Sequence, residues 1–276
     1  SSVIGTDFID SFTIAAEGST FTGGAGNDIF STTVALSLAD GTTDLHMDAG
    51  TGIDTLIITG AVTAVADDNF VNVTGMEKLQ TTGTGSHSIT GSSAMNAAFA
   101  NGLTFTGGTL ANESSFVFSY GNSTIDTSIT IDGTDLVGDA AAEDITVTTG
   151  SGNDTVAFNG DATFVGHAST GGTITLNTGA GNDIITFAAG TVVHANTGRL
   201  GSIDAGTGAD VITISTISGA NTEFSAVQVI VQAGDSILGT HDKITGFTDA
   251  DSAITFSDYL DFDGTSAAAT LSSTTD

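Results

Sequence analysis

Hydrophobic and polar residues alternate in short segments along much of the chain. The clearest examples pair two apolar residues that stand two positions apart: Leu56 with Ile58, Val156 with Phe158, Ile185 with Phe187, and Ile212 with Ile214. Alternation with a period of two, in segments rich in β-branched and aromatic residues, predicts β-strands with one buried face. Residues 93–100 carry the clearest helical signal, because Ser92 precedes them and Asn101-Gly102 closes them, and they predict a short surface helix.

A glycine turn of fixed spacing precedes these strands. It occurs in five windows that align without gaps on the pattern apolar-x-x-Gly-x-Gly-x-Asp-x-apolar: residues 21–30, 47–56, 147–156, 176–185 and 203–212. The two glycines and the aspartate of the motif are Gly24, Gly26 and Asp28; Gly50, Gly52 and Asp54; Gly150, Gly152 and Asp154; Gly179, Gly181 and Asp183; and Gly206, Gly208 and Asp210. The apolar residue that opens each window ends the preceding strand, so each motif is predicted to be a turn between two strands that face one core.

The spacing of the motifs predicts how the turns are arranged. Motif aspartates of neighbouring windows are 26, 29 or 27 residues apart, and the gap of 100 residues between Asp54 and Asp154 is close to four such steps. We predict degenerate units in that gap near residues 75–77, 105–108 and 131–133, and a further unit near residues 231–234. A repeat period of this length predicts a solenoid in which each coil stacks on the last.

The Gly-x-Gly-x-Asp turns have the chemistry of a calcium site. Glycine permits a positive φ, so the chain can turn sharply and direct carbonyl oxygens towards one point, while aspartate adds a charged ligand. Calcium takes about six to eight oxygen ligands, which two stacked loops can supply and one loop cannot. A cation between coils would also cancel the repulsion between stacked aspartates. We therefore expect Ca2+ at the motif glycines and aspartates.

Residues beside the motif leave alternatives open. Asp48 and Asp204 stand at the same place before their loops and are candidates for additional calcium ligands. Asn177 occupies that place in a third copy, so a turn-capping role explains these residues equally well. We expect a left-handed backbone, rather than metal binding, at the three asparagines that precede a motif aspartate: Asn27, Asn153 and Asn182.

The composition supports calcium and excludes several classes of function. The 276 residues include 32 acidic and 3 basic side chains, for a formal net charge of -29, and 27 of the acids are Asp. This charge excludes nucleic-acid binding and attachment to acidic membranes. The chain has no cysteine for a disulfide or a thiolate site, and no apolar run of the roughly 20 residues that a membrane span requires. A plain solenoid turn would also favour Gly and Asp, but five copies and the acid excess favour calcium.

Catalytic motifs are missing from the sequence. The five histidines are scattered without the spacing of a zinc site, and we find neither a nucleophile elbow nor a phosphate loop. A β-helix polysaccharide lyase is the enzyme alternative, but such an enzyme needs basic groups around an acidic sugar. The basic residues of this chain are Lys78, Arg199 and Lys243. We therefore expect a protein that is not an enzyme.

The glycine-aspartate windows resemble RTX repeats, the calcium-binding nonapeptides of bacterial proteins exported by type I secretion. The match is full over residues 23–30, whereas the other four windows have Ala or Thr in place of Gly23. Single copies about 27 residues apart, rather than tandem nonapeptides, are more similar to the three-sided RTX-like β-solenoids of Gram-negative surface-layer (S-layer) proteins. Residues 239–247 and 258–262 also resemble the segment that often follows RTX arrays.

The repeats and this resemblance imply a fold and a function. The fold is all-β: a right-handed parallel β-solenoid with about 27 residues per coil, continuous over residues 1–276, with room for an irregular insertion at 61–145 and a frayed end at 266–276. The function implied is that of a secreted S-layer protein at the bacterial cell surface, which folds on Ca2+ and assembles with its own copies through calcium. Contact with cell-surface glycan would belong to another region. The alternatives are the repeat region of an RTX adhesin and the calcium-binding carrier domain of a type I-secreted enzyme.

Overall fold

The structure, a computed structural model, confirms the predicted all-β solenoid. It describes residues 1–15, 18–33, 45–60, 63–83, 85–107, 115–131, 136–137, 144–159, 163–165, 174–188, 192–194, 201–214, 227–231, 242–245 and 259–262. Within these ranges the chain is almost entirely parallel β-structure, and no helix is long and apolar enough to cross a membrane. The frayed end predicted at residues 266–276 lies outside the described residues.

The elements are short. The strands of the first half are Ser2–Ile4 (β1), Ser11–Thr13 (β2), Thr20–Ala25 (β3), Ile29–Thr33 (β4), His46–Thr51 (β5), Thr55–Thr59 (β6), Thr63–Val65 (β7), Val73–Thr74 (β8), Lys78–Thr81 (β9), His87–Thr90 (β10), Leu103–Thr106 (β11), Phe116–Ser119 (β12) and Thr127–Ile131 (β13). Those of the second half are Leu136–Val137 (β14), Ile145–Thr148 (β15), Thr155–Phe158 (β16), Thr163–Val165 (β17), Ile174–Asn177 (β18), Ile184–Phe187 (β19), Val192–His194 (β20), Gly201–Asp204 (β21), Val211–Ile214 (β22), Val227–Val231 (β23), Lys243–Thr245 (β24) and Tyr259–Phe262 (β25). A 3₁₀ turn spans Asp67–Phe70, and helix α1 spans Ser93–Ala98.

The strands stack into long parallel sheets, one strand per coil. The strands that follow the glycine turns form a ten-stranded sheet in the order β2-β4-β6-β9-β11-β13-β16-β19-β22-β24. The strands that precede the turns form an eight-stranded sheet, β25-β23-β21-β18-β15-β12-β10-β7, and a four-stranded sheet, β1-β3-β5-β8. A third side, β14-β17-β20, follows the ten-stranded sheet. One coil thus runs from β15 through its glycine turn into β16 and β17, and the next begins at β18. The predicted turn between two strands is confirmed for all five motifs.

Alternate side chains of the two main sheets point into one apolar core. Leu56 and Val156, predicted to face inward from the ten-stranded sheet, are buried, and so is Phe116 on the opposite side. Aromatic rings also stack from coil to coil, with the ring centroids of Phe158 and Phe187 4.5 Å apart. Each fully buried aromatic side chain contributes roughly 1.5–3 kcal/mol. Because these contacts join neighbouring coils, a single coil is not stable without the next one.

Residues 61–145 continue the same sheets wherever they are described. The strands β7, β10 and β12 extend the eight-stranded sheet, and β9, β11 and β13 extend the ten-stranded sheet. Helix α1 lies within the predicted helical segment. Its first turn is capped by the carboxylate of Asp67, which accepts backbone N–H groups from Ser92 at 2.6 Å, Ala94 at 3.2 Å and Met95 at 3.0 Å. These N–H groups have no partner within the helix, so the cap stabilises it.

Candidate functional site

The strand register brings the motif aspartates into one column. Each of them directly precedes a strand of the ten-stranded sheet, and the parallel pairings within that sheet place these preceding residues one above another. We name the resulting row of acidic side chains the carboxylate column. Its members are Asp10, Asp28, Asp54 and Glu77 towards the N-terminus, and Asp154, Asp183, Asp210 and Asp242 towards the C-terminus. It contains all five motif aspartates and three acids outside the motif.

A chain of hydrogen bonds links these carboxylates from coil to coil. The backbone N–H of Asp28 donates to Oδ1 of Asp54 with an N–O distance of 2.6 Å. The N–H of Asp154 donates to Oδ1 of Asp183 at 2.8 Å, and the N–H of Asp183 donates to Oδ1 of Asp210 at 2.8 Å. Equivalent bonds run from Asp10 to Asp28 (2.8 Å), from Asp54 to Oε2 of Glu77 (2.8 Å), from Thr127 to Asp154 (2.8 Å) and from Asp210 to Asp242 (3.1 Å). The preceding coil therefore fixes one oxygen of each acceptor carboxylate.

The second oxygen of four motif aspartates has no hydrogen-bond partner. Asp28, Asp54, Asp154 and Asp183 are at most 1% exposed, and their Oδ2 atoms are buried and unpaired. A buried, ionised carboxylate of this kind costs roughly several kcal/mol unless a positive charge or a proton compensates it. The same cost recurs on successive coils. The column therefore has the properties of an anionic site, whose charge either protons or a cation would compensate.

Burial and neighbouring charges raise the pKa of carboxyl groups in the column. Burial, with a smaller contribution from the charge of Asp154, raises the pKa of Asp183 to about 6. Burial also raises the pKa of Asp154, and the nearby hydroxyl groups of Thr149 and Thr127 act in the opposite direction. The Thr149 hydroxyl donates to the carbonyl oxygen of Thr178 at 2.9 Å, so it leaves Oδ2 of Asp154 without a hydrogen bond. The pKa of Asp54 is raised by burial and then by the charges of Glu77 and Asp28. Because a raised pKa means that the ionised form is disfavoured, protons and cations compete for these oxygens.

Glycine is required in the turns because successive coils lie too close for a side chain. A Cβ atom on Gly179 would collide with the carbonyl oxygen of Gly150, and one on Gly206 would collide with that of Gly179. Gly179 also has a φ of +90°, in the left-handed region, whereas Gly150 is needed only for its close approach to Ser123. A bond from the N–H of Ala180 to the Gly150 carbonyl, at 2.9 Å, holds the stacked turns together. Similar crowding occurs at the other motif glycines: Gly24, Gly26, Gly50, Gly52, Gly152, Gly181 and Gly208.

A second chain of hydrogen bonds runs along the exposed side of the turns. Oδ1 of Asn27 accepts the backbone N–H of Ile53 at 3.0 Å. Oδ1 of Asn153 accepts the N–H of Asn182 at 2.9 Å, and Oδ1 of Asn182 accepts that of Ala209 at 3.0 Å. The sequence suggested only a backbone reason for these asparagines, whereas the structure shows that their side chains join neighbouring coils. These hydrogen bonds could not be predicted from a single ten-residue window, because the partner of each side-chain amide is 26 to 29 residues away in the sequence.

Asp48 and Asp204 lie outside the carboxylate column. They belong to strands that precede the turn, and neither is among the buried polar residues of the column. Oδ1 of Asp204 accepts the N–H of Gly206 at 3.1 Å, which supports the turn-capping alternative for this residue. Oδ1 of Asp48 accepts the hydroxyl of Thr74 at 3.4 Å. The structure thus places these two candidates apart from the motif aspartates.

The column is interrupted between Glu77 and Asp154. Leu103 and Thr127 occupy its positions in the two intervening coils, because β11 pairs with both β9 and β13. Of the degenerate units, the one at residues 75–77 is correctly placed and contributes Glu77. Those at 105–108 and 131–133 are misplaced, because they open on Phe105 and Ile131 in β11 and β13, which belong to the ten-stranded sheet that follows the turns rather than to a sheet that precedes them. Residues 108, 132 and 133 of these two units lie outside the described residues. The unit near 231–234 starts in β23 and continues outside the described residues.

The column offers oxygen ligands, one acidic side chain from each coil outside the interruption. In the described ranges, no group of three or more His, Cys, Asp or Glu side chains is placed to hold a metal ion. A cation between coils would therefore combine carboxylate oxygens of neighbouring coils with carbonyl oxygens of the glycine turns. This division of ligands suits a hard cation that accepts irregular oxygen coordination.

Comparisons with known proteins do not extend this description. No protein-family model, no curated protein and no solved structure matches the chain. The geometry and charge of the column are therefore the basis for assigning a function.

Proposed function

We propose that this protein is a calcium-dependent structural protein of a bacterial surface layer, which folds on Ca2+ and then assembles with its own copies. The observation that supports this most directly is the carboxylate column, in which buried oxygens of Asp28, Asp54, Asp154 and Asp183 have no partner. Without a cation, folding would bring these charges together and remove them from water. Calcium would compensate them, so that binding free energy becomes folding free energy.

Calcium suits these donors better than the other common cations. The ligands on offer are carboxylate and carbonyl oxygens, and the chain has no cysteine for a softer metal. Calcium tolerates variable coordination by such oxygens, whereas magnesium requires a smaller and regular octahedron and releases its water reluctantly. Asp28 with Asp54, and Asp154 with Asp183 and Asp210, are the side chains that would hold the ions.

The charge of the chain explains why assembly would depend on calcium as well. With a net charge of -29 and three basic residues, separate copies repel each other and lack cationic groups for pairing. Calcium within the column would lower the net charge, and calcium at the surface would bridge exposed acids such as Asp7 and Asp126 on two molecules. Surface sites take fewer ligands from each partner, so assembly should need more calcium than folding.

The location and partners follow from this assignment. Such a protein is secreted, through the type I route that the RTX resemblance implies, and acts at the cell surface without an enzymatic reaction. Its partner is a second copy of the same chain, and anchoring to cell-surface glycan belongs to another region. The long parallel sheets provide extended faces on which copies would lie side by side.

A single calcium titration of the metal-free protein tests both steps. Far-UV circular dichroism reports folding, light scattering reports assembly, and electron microscopy of the final sample shows whether two-dimensional sheets form. We expect the β-signal to rise first and scattering to rise at higher calcium, with both reversed by chelator. A protein that is folded but monomeric at millimolar calcium would overturn the lattice function and favour the adhesin alternative. A β-signal that is complete without calcium would overturn calcium-dependent folding.

A further inference from the structure

The interruption of the carboxylate column divides its unpaired oxygens into two groups. At the interruption, Leu103 and Thr127 are buried and carry no charge. Glu77, the last acid before it, has both oxygens bonded: Oε2 accepts the N–H of Asp54 at 2.8 Å, and Oε1 accepts the side-chain amide of Asn101 at 3.2 Å. The unpaired Oδ2 atoms therefore lie in two blocks, at Asp28 and Asp54 on one side and at Asp154 and Asp183 on the other.

The coils between the two blocks have an extensive aromatic core. We name the described parts of residues 63–131 the middle segment. The ring centroid of Phe105 lies 5.6 Å from that of Phe116 and 5.3 Å from that of Phe118, which in turn lies 6.1 Å from Tyr120. All four rings are at most 1% exposed. Aromatic burial of this extent stabilises these coils without any cation.

The charged and hydroxyl groups that stabilise the middle segment find their partners within the protein. Asp67, the carboxylate that caps helix α1, accepts three backbone N–H groups, and the hydroxyl of Tyr120 donates to Oδ1 of Asn96 at 2.8 Å. Among its described residues, the buried side-chain atoms without a partner are Nδ2 of Asn72 and Nδ1 of His87. The Asn72 amide carries no charge, and burial lowers the pKa of His87 and so favours its neutral form. The middle segment therefore lacks the unpaired buried charges of the flanking coils.

We infer that the solenoid holds two separate calcium columns, joined by a middle segment that folds without calcium. The inference rests on the proposed function, because it takes calcium to be the ion that compensates the carboxylates. In chelator, the middle segment keeps its coils while the flanking blocks are open. When calcium is added, each block folds onto one end of the middle segment, because a coil is stable only against a folded neighbour.

Hydrogen exchange of the full chain, measured by mass spectrometry in chelator and in calcium, tests this order. In chelator, we expect peptides from residues 87–106 to exchange at least about tenfold more slowly than peptides from 45–60 and 174–188. In calcium, all three should be protected. If residues 87–106 exchange as fast as the flanks in chelator, the inference is wrong although calcium-dependent folding stands. If the flanks are already protected in chelator, calcium-dependent folding itself is wrong.

Asp183→Ala tests whether the two columns are independent. The substitution should abolish calcium-induced protection in residues 174–188 and leave it unchanged in residues 45–60, because the middle segment separates the two blocks. Loss of protection in both blocks would show that the acids form a single cooperative column and would overturn the inference. Retained protection in both blocks would remove Asp183 from the site and overturn it as well.

The helix cap provides a matched test of the middle segment. Asp67→Ala removes the acceptor of three N–H groups, so exchange of residues 87–106 in chelator should accelerate by about tenfold. Asp68→Ala, at the neighbouring exposed position, should leave that exchange unchanged. If the two variants behave alike, the middle segment does not owe its calcium-free structure to the contacts described.

Discussion

Without calcium, the flanking coils should become more stable as the pH falls from about 7.5 to about 5, which is the opposite of ordinary acid unfolding. One group responsible is Asp183, whose pKa is raised by burial from 3.8 to about 6 in the folded protein. The raised pKa values of Asp54 and Asp154 act in the same direction. A carboxyl group with a raised folded pKa binds more protons folded than unfolded. Its stabilising contribution is therefore complete below the unfolded pKa and is lost as the pH rises through about 6.

The size of the effect follows from the two pKa values. The difference between 3.8 and about 6 corresponds to about 3 kcal/mol between fully protonated and fully ionised Asp183. At about pH 5 roughly half of this is present, which changes the folding equilibrium about tenfold. His87 acts in the opposite direction, because burial lowers its pKa and its protonation below about pH 6.5 favours the unfolded chain.

The far-UV circular dichroism of metal-free protein, followed from about pH 7.5 to about pH 5, measures this pH dependence, because flanking coils that are open at neutral pH should gain β-signal as Asp183 is protonated. Asp183→Asn retains an Oδ1 acceptor for the N–H of Asp154 but cannot titrate, so the difference between wild type and this variant isolates Asp183 from His87. Asp48→Asn, which changes an exposed carboxylate, serves as the control. Equal pH dependence in wild type and Asp183→Asn would refute the reasoning. In calcium the sign should reverse for wild type, because the ion binds ionised carboxylates that protons would otherwise occupy.

Three further substitutions or ion changes test the site. Gly179→Ala should lower the free energy of unfolding by about 1–3 kcal/mol or more in urea titrations, because the new side chain would have a positive φ and would collide with the Gly150 carbonyl. The control Gly107→Ala should be nearly neutral in the same assay, because the nearest atom to the added Cβ is 3.6 Å away. Asp183→Ala should weaken calcium binding by about tenfold or more in calorimetric titration, and equal affinity in Asp183→Ala and Asp48→Ala would contradict the column as the site. Magnesium in place of calcium should produce little gain of β-signal, and a gain equal to that with calcium would argue against a calcium-adapted site.

The sequence predicted the repeat and its turns because their determinants are local. Each turn needs glycines, because a Cβ atom would collide with the backbone of the neighbouring coil, and each turn places an aspartate directly before a strand. These residues recur at one spacing within the window, so an alignment of the windows finds them. Asp10 and Asp242 were missed as column members because no Gly-x-Gly precedes them, and Glu77 was predicted only as part of a degenerate unit. Their signal is positional: each directly precedes a strand that pairs with a neighbouring coil.

The contacts between coils were not predictable from single windows. The bond from a backbone N–H to the carboxylate of the next coil, as from Asp28 to Asp54, depends on the register of two strands rather than on either segment alone. The replacement of acids by Leu103 and Thr127 was missed for a similar reason, since apolar and hydroxyl residues carry no motif. The units expected at 105–108 and 131–133 were misplaced because they were located by their glycine residues, which do not reveal the register of the strands.

Calcium-dependent folding is tested most directly by far-UV circular dichroism of the protein in excess chelator and after calcium is restored, with the bound metal measured in both samples. We predict a small β-signal from the middle segment in chelator, a large gain on adding calcium, and retention of calcium by the folded protein. A full β-signal in chelator, with no metal retained, would contradict the assignment of the carboxylate column as a calcium site.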